Sequence, residues 1–130
     1  MKSTSKSYFV SAFVKDQTIK VNVEKHYELG KKIDALGLLK TDVIGTFQGN
    51  SELSWCIYGN DATDQVILDL VNEYNQVCGL VVYGADQTAK LIYPNGTFEK
   101  VGTMVNLGPE DGKLKGRDYS YVNGQFYVVE

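Results

Sequence analysis

Glu52 lies where a tight chain reversal would set a carboxylate at the mouth of a strand pair, and a carboxylate so placed can serve as a general base or hold an organic cation. It falls within residues 41–61, TDVIGTFQGNSELSWCIYGND, where Val43, Gly45 and Phe47 alternate with Ile44, Thr46 and Gln48. A period of two marks a half-buried strand, and Gly49-Asn50 offers the positive φ that a hairpin reversal needs. On the return strand Leu53, Trp55 and Ile57 alternate with Glu52, Ser54, Cys56 and Tyr58. Glu52 therefore shares a sheet face with a hydroxyl, a thiol and a phenol, and not with Trp55. A glutamate beside a turn is ordinarily solvated, so its use depends on what the fold brings around it.

Other chemistry is sparse. The one histidine, His26, is flanked by Lys25 and Tyr27 and has no cysteine or second histidine nearby in sequence, so it reads as a surface or half-buried helix residue and no metal site is expected. Cys56 and Cys78 each fall inside an apolar strand pattern, the usual setting of a buried free thiol. There is no phosphate loop, dinucleotide fingerprint or nucleophile elbow. The nine tyrosines read chiefly as strand aromatics packing a β-rich domain. Lys113, Lys115 and Arg117 form a small basic cluster in a loop, the kind that meets solvent or an anion.

The elements that would position Glu52 follow from pattern. Residues 7–15 (SYFVSAFVK) read as a strand, and Asn22 as the cap of a helix starting near Val23, with Val23, Tyr27, Ile33 and Leu36 buried and Gly37 ending it. Asp61 and Asp64 open a second helix over residues 62–76, where Val66, Ile67, Leu70, Val71 and Tyr74 recur at helical spacing. Residues 78–83 (CGLVVY) are too short and β-branched for a helix and read as a central strand. The order strand, helix, strand, strand, helix, strand is the split βαβ arrangement, so the expected class is α+β, a ferredoxin-like sandwich with both helices on one sheet face. Further strands are expected at residues 88–93, 97–105, 119–122 and 125–129, the last two around Asn123-Gly124. A sheet face left uncovered by helices would argue for oligomerisation.

Composition bounds the class. The 130 residues, 43% of them hydrophobic, suit one domain over residues 1–130 with a real core. A net charge of −3 with scattered cations gives no footprint for nucleic acid. No stretch approaches the roughly 18 apolar residues of a membrane-spanning helix, and the N-terminal stretch lacks a signal-peptide cleavage pattern. A cytoplasmic location is expected.

Several of these pieces occur in one order: VSAF at residues 10–13, Thr41-Asp42 followed by Gly45 and Phe47, Glu52 opening the third strand, Asn72-Glu73 with an aromatic ending the second helix, then LVVY and LIY. In that order and spacing, from about Tyr8 to the C-terminus, the chain resembles the small phage-encoded S-adenosylmethionine lyases, long described as hydrolases. The resemblance implies a PII-like fold, a homotrimer with clefts between subunits, and an anti-restriction role in the host cytoplasm. It implies S-adenosylmethionine as substrate, no cofactor and no metal: the methionine carboxylate closes on the γ-carbon, releasing methylthioadenosine and homoserine lactone. The family's active-site glutamate carries over to Glu52. A family tyrosine on the preceding strand carries over to Phe47, which keeps the ring and loses the hydroxyl. Tyr58 shares the strand face of Glu52 but lies about 20 Å away at strand rise, too far to replace it within one subunit. Ser11, Phe13 and Tyr83 are the expected further wall residues.

Two other functions fit the same residues. A lyase for an adenylated S-adenosylmethionine signal in CRISPR defence would place Lys113, Lys115 and Arg117 against an extra phosphate. A PII-like sensor would bind the nucleotide without turnover, as would suit the lost hydroxyl at Phe47. A structural or inhibitory protein with no small-molecule ligand is a third.

Overall fold

The computed structural model describes residues 5–130; residues 1–4, part of the N-terminal stretch read above for a leader, lie outside it. Strands β1 (Lys6–Ser11), β2 (Leu39–Phe47), β3 (Asn50–Gly59), β4 (Gly79–Tyr83), β5 (Thr88–Ile92), β6 (Phe98–Gly108), β7 (Ser120–Val122) and β8 (Gln125–Val129) accompany helices α1 (Ile19–Ala35) and α2 (Asp64–Glu73). β1 pairs antiparallel with both β3 and β4, so that Phe9 faces Cys56 on one side and Leu80 on the other. From β3 the ladder continues through β2, β7, β8, β6 and β5 back to β4, closing an eight-stranded antiparallel barrel.

Closure overturns the expected ferredoxin-like, PII-like sandwich. The order of elements along the chain was read correctly, but order says nothing about whether the two edges of a sheet meet. Here β5 to β8 extend the sheet from β4 round to β2, with irregularities at Ala89/Lys90 and Asn106/Gly108 that bend the strands toward closure. The seam is short: Ile44 pairs with Tyr121 and Gly45 with Ser120. The sheet face that the sandwich left open is the barrel's interior, so it no longer argues for oligomerisation.

Two apolar layers result. Outside the barrel, Leu29, Ile33, Ile67, Leu70, Val71 and Tyr74 of the helices pack on Tyr8, Val10, Trp55, Ile57 and Val81. Inside it, Phe9 and Tyr127 bridge one group around Val43, Cys56 and Val122 and another around Val82, Ala89 and Met104. Strand alternation sorts the two layers, and Trp55 and Cys56, adjacent in sequence, belong to opposite ones.

The first helix starts earlier than its pattern indicates. Thr18, not Asn22, is its cap, its hydroxyl accepting the Val21 amide at 3.2 Å. Asn22 is buried inside the helix, where its side chain accepts from the Val14 amide at 3.0 Å and donates to the Val14 carbonyl at 3.1 Å, holding the loop that follows β1. That loop carries Phe13, since β1 ends at Ser11. The shifted frame exposes Tyr27 and Leu36 and buries His26, which stacks on Trp55 at 4.4 Å between ring centroids and 4° between planes. The Trp55 indole N–H donates to the His26 carbonyl at 2.9 Å. His26 is thus a core residue, and burial lowers its pKa from the ordinary histidine value against the opposing pull of Asp42. Gly37 ends the helix as expected, in a left-handed conformation at φ 75°. Asn60 rather than Asp61 caps the turn leading into α2.

Gly30 decides how closely α1 approaches the sheet, because a Cβ there would lie 2.7 Å from Trp55 Cζ2. Alanine in a helix interior gains about 1 kcal/mol over glycine, while overpacking a filled core costs about 1–3 kcal/mol. Trp55 is fixed by its stack and its hydrogen bond, so the clash outweighs the propensity. Urea unfolding of Gly30→Ala is expected to show a net loss of up to about 2 kcal/mol; a gain would mean that the indole yields freely.

Candidate functional site

A cavity of about 900 Å³ opens into the barrel at the end where β1 and β2 finish and β3 and β4 begin. Its walls are largely apolar, with Phe9, Phe13, Phe47, Leu80 and Met104 among them. Glu52 projects into it from the third pair of the β2–β3 hairpin, opposite Gly45 across the ladder. Gly45 offers no side chain there; the place a Cβ would take is 2.4 Å from the Tyr119 carbonyl oxygen, where β7 crosses to close the barrel. The reversal itself uses Gln48 and Gly49, with φ of 52° and 81°, between the paired Phe47 and Asn50. Asn50 therefore belongs to β3 and not to the turn.

Burial is the largest influence on Glu52 and pushes its pKa above the ordinary 4.5, with the Ser11 hydroxyl offsetting part of the rise. Ser11 is itself buried, donating to the Leu53 carbonyl at 2.8 Å and accepting from the Phe13 amide at 3.0 Å. One hydroxyl thus fixes both the start of β3 beside Glu52 and the turn that presents Phe13. The Cys78 thiol also lines the cavity, and its pKa is raised first by burial and then by the charges of Glu52 and Glu99.

Four of the five residues expected at the site come together here: Glu52, Phe47, Ser11 and Phe13. Tyr83 does not. It pairs with Lys6 at the far end of β1, packs against the helix-side core and lies under the ammonium groups of Lys6 and Lys90, at 4.7 and 4.9 Å from its ring centroid. Tyr58 likewise lies away from the cavity, donating to Thr41 at 3.3 Å. Of the basic cluster only Arg117 reaches the cavity, and its guanidinium is engaged by Glu130 at 2.9 Å and by the Lys113 and Leu114 carbonyls. Cys56 and Cys78 are free thiols, as read, and burial pushes the Cys56 pKa up to about 11.

The profile of the S-Adenosylmethionine lyase family matches residues 8–130. The chain belongs to that family. No curated protein sequence matches the chain. The match runs from within β1 through β8, taking in Phe9, Ser11 and every later element that lines the cavity, and confirms the family read from the order of VSAF, Gly45, Phe47, Glu52 and LVVY. Among the described residues no helix is long and apolar enough to cross a membrane.

Sequence reading missed the third wall. Asp118, Tyr119 and Ser120 line the cavity beside the hairpin, bonded to β2 and its turn, and Tyr127 and Met104 reach it from inside the barrel. Nothing in the period of residues 109–118 marks Asp118, and although the others fall in or beside segments read as strands, only closure of the barrel brings those strands to β2.

A carboxylate whose pKa is raised by folding favours the folded state most when protonated. That stability is fully present below the unfolded value near 4.5 and is lost as pH rises through the folded value. Glu52→Gln is therefore expected to melt at or above the wild-type temperature at pH 7, the difference shrinking toward pH 4. A lower midpoint at pH 7 would show that the charge of Glu52 holds the fold together.

Proposed function

We propose that this chain degrades S-adenosylmethionine by intramolecular displacement, with Glu52 as the substrate-orienting carboxylate, and that as a phage product it would remove the methyl donor on which host restriction systems rely. The observation carrying the reading is a half-buried glutamate in the wall of an apolar cavity, in a chain of the S-adenosylmethionine lyase family. In the step proposed, a carboxylate oxygen of the substrate's methionine moiety bonds to its γ-carbon as the bond from that carbon to sulfur breaks. The sulfur keeps the electron pair and leaves as neutral methylthioadenosine, the other product is homoserine lactone, and no proton moves. The chain's task is to fold the substrate so that oxygen and carbon approach in line, and such positioning is worth about 7–11 kcal/mol in well-oriented intramolecular reactions.

Charge sets the role of Glu52. Carboxylate and sulfonium cancel as the reaction proceeds, so walls such as Phe9, Phe13 and Phe47 favour the transition state over the ground state. A glutamate against the sulfonium would do the reverse. Glu52 is accordingly assigned to the substrate ammonium, whose charge the reaction leaves unchanged.

A second copy of the chain would complete the cavity. Ile19, Val77 and Val101 line it yet are 78%, 67% and 39% exposed, an apolar rim that supports the homotrimer implied by the family resemblance.

Incubation of wild-type protein with S-adenosylmethionine in ¹⁸O-water, followed by mass analysis, tests the reaction. Lactone free of label, with any homoserine labelled only in its carboxylate, is the expected result; label in the homoserine hydroxyl would show direct attack of water on the γ-carbon. Glu52→Gln is expected to lose at least about a hundredfold in kcat/KM. No turnover by the wild type would sink the reading.

Because no proton moves, the ring of Phe47 matters and a hydroxyl does not. Phe47→Tyr is expected to stay within about threefold of wild type, since general acid–base help would be worth on the order of a hundredfold or more. Phe47→Ala is expected to lose at least about tenfold in kcat/KM through a misplaced substrate. A large gain in Phe47→Tyr would assign the hydroxyl a part in the reaction.

A further inference from the structure

The β2–β3 turn is not held by its own sequence. Gln48 and Gly49 both adopt positive φ, and glutamine is a poor choice for the first of these places, where asparagine, aspartate or glycine is preferred. The two successive amides of the turn instead converge on one carboxylate: Asp118 Oδ2 accepts from the Gln48 N–H at 2.8 Å and Oδ1 from the Gly49 N–H at 3.0 Å. Two neighbouring bonds fix the same contact, the Thr46 amide donating to the Tyr119 carbonyl at 2.9 Å and the Tyr119 amide to the Thr46 hydroxyl at 3.1 Å. Burial raises the pKa of Asp118, and the Gly49 amide, Thr46 hydroxyl and Gln48 amide outweigh it, leaving the group below the ordinary carboxylate range and charged at neutral pH. An ionised acceptor makes the stronger kind of hydrogen bond.

We propose that Asp118 is a positioning residue for the cavity: by clamping the Gln48–Gly49 turn it fixes the hairpin that carries Phe47 and Glu52. The inference rests on the proposed role of that cavity in turning over S-adenosylmethionine, which it deepens. Phe47 is the last residue of β2 before the turn, and Glu52 stands three residues beyond Gly49. Release of the turn lets both shift relative to the opposite wall, and a misplacement of about 1 Å can cost a hundredfold in rate.

The test separates action through the turn from action on the substrate. Asp118→Ala is expected to lower kcat/KM about ten- to a hundredfold, mostly in kcat. In the same variant, amide hydrogen exchange at Gln48 and Gly49 is expected to speed up at least tenfold, while amides in β1 and β4 exchange as in wild type. Adding Gln48→Asn creates Asn-Gly, the pair that forms this turn unaided, and is expected to restore most of the lost kcat. A substrate contact made by Asp118 itself would not be restored, so failure of the rescue would overturn the inference, as would wild-type kinetics in Asp118→Ala. Unchanged exchange at the two amides would sink the clamp whatever the activity. A wild-type protein with no turnover but faster exchange in Asp118→Ala would sink the reading of function and the catalytic part of this inference with it, leaving only a structural clamp.

Discussion

This antiparallel sheet has two apolar faces to bury, and the described α-helices both lie on one of them. The other face of β1, β3 and β4 carries Phe9, Cys56, Leu80 and Val82, which cannot be left to water. Curling the sheet until β2 meets β7 buries that face against β5, β6 and β8 without a third layer of helices. Much else follows from this closure. It joins the two outer strands of the sheet over a short seam, it brings residues 117–120 to the hairpin, and it leaves an opening at one end, because a barrel filled by side chains in its middle still has mouths.

The mouth that holds Glu52 is the expensive one. A carboxylate in apolar surroundings is penalised for its charge, and Ser11, the one side chain among the described residues that offsets the penalty there, is already committed to Leu53 and Phe13. Elsewhere the chain pairs its buried charges well: Lys6 is held between Asp61 at 3.1 Å and Asp64 at 3.0 Å, and Tyr8 donates to Asp64. The contrast is informative, because among the described residues no cation offsets the burial of Glu52, and a carboxylate so placed beside a cavity is a common mark of a binding or reacting group.

Periodicity carried a good part of this through the sequence. The alternation of Glu52, Ser54 and Cys56 against Leu53, Trp55 and Ile57 gave β3 its two faces and set Glu52 apart from the helix-side core, and β8 was bounded correctly at Gln125–Val129. What failed has physical causes. Barrel closure depends on two residue pairs at the seam and on irregularities in β5–β6 and β6–β8, none of which has a period. His26 was read as a surface or half-buried residue because hydrophobicity favours Tyr27 for the buried stripe, whereas a flat stack on Trp55 selects the imidazole. Tyr83 was placed at the site because β4 as a whole adjoins it, yet parity along that strand puts Leu80 in the cavity and Tyr83 on the helix side. Asp118 was invisible, since its bond to Gln48 spans 70 residues of sequence.

The make-up of the cavity bears on how the proposed chemistry would divide its work. A reaction in which a carboxylate and a sulfonium annihilate each other is favoured by surroundings that solvate charge poorly, which argues for walls such as Leu80, Phe9 and Met104 and against any fixed charge near the reacting atoms. Binding a substrate that carries an ammonium as well as the sulfonium and carboxylate argues the other way, for an anion. The two demands are compatible only if the anion sits at one side and meets the cation that survives the reaction. In the proposed arrangement that anion would be Glu52, which stands near the start of β3, at the barrel's mouth, while the same strand face continues inward through Ser54 to the buried Cys56. An ammonium held at the rim would send the sulfonium and the γ-carbon toward the apolar interior, where charge is least well tolerated and where its loss would be most strongly driven.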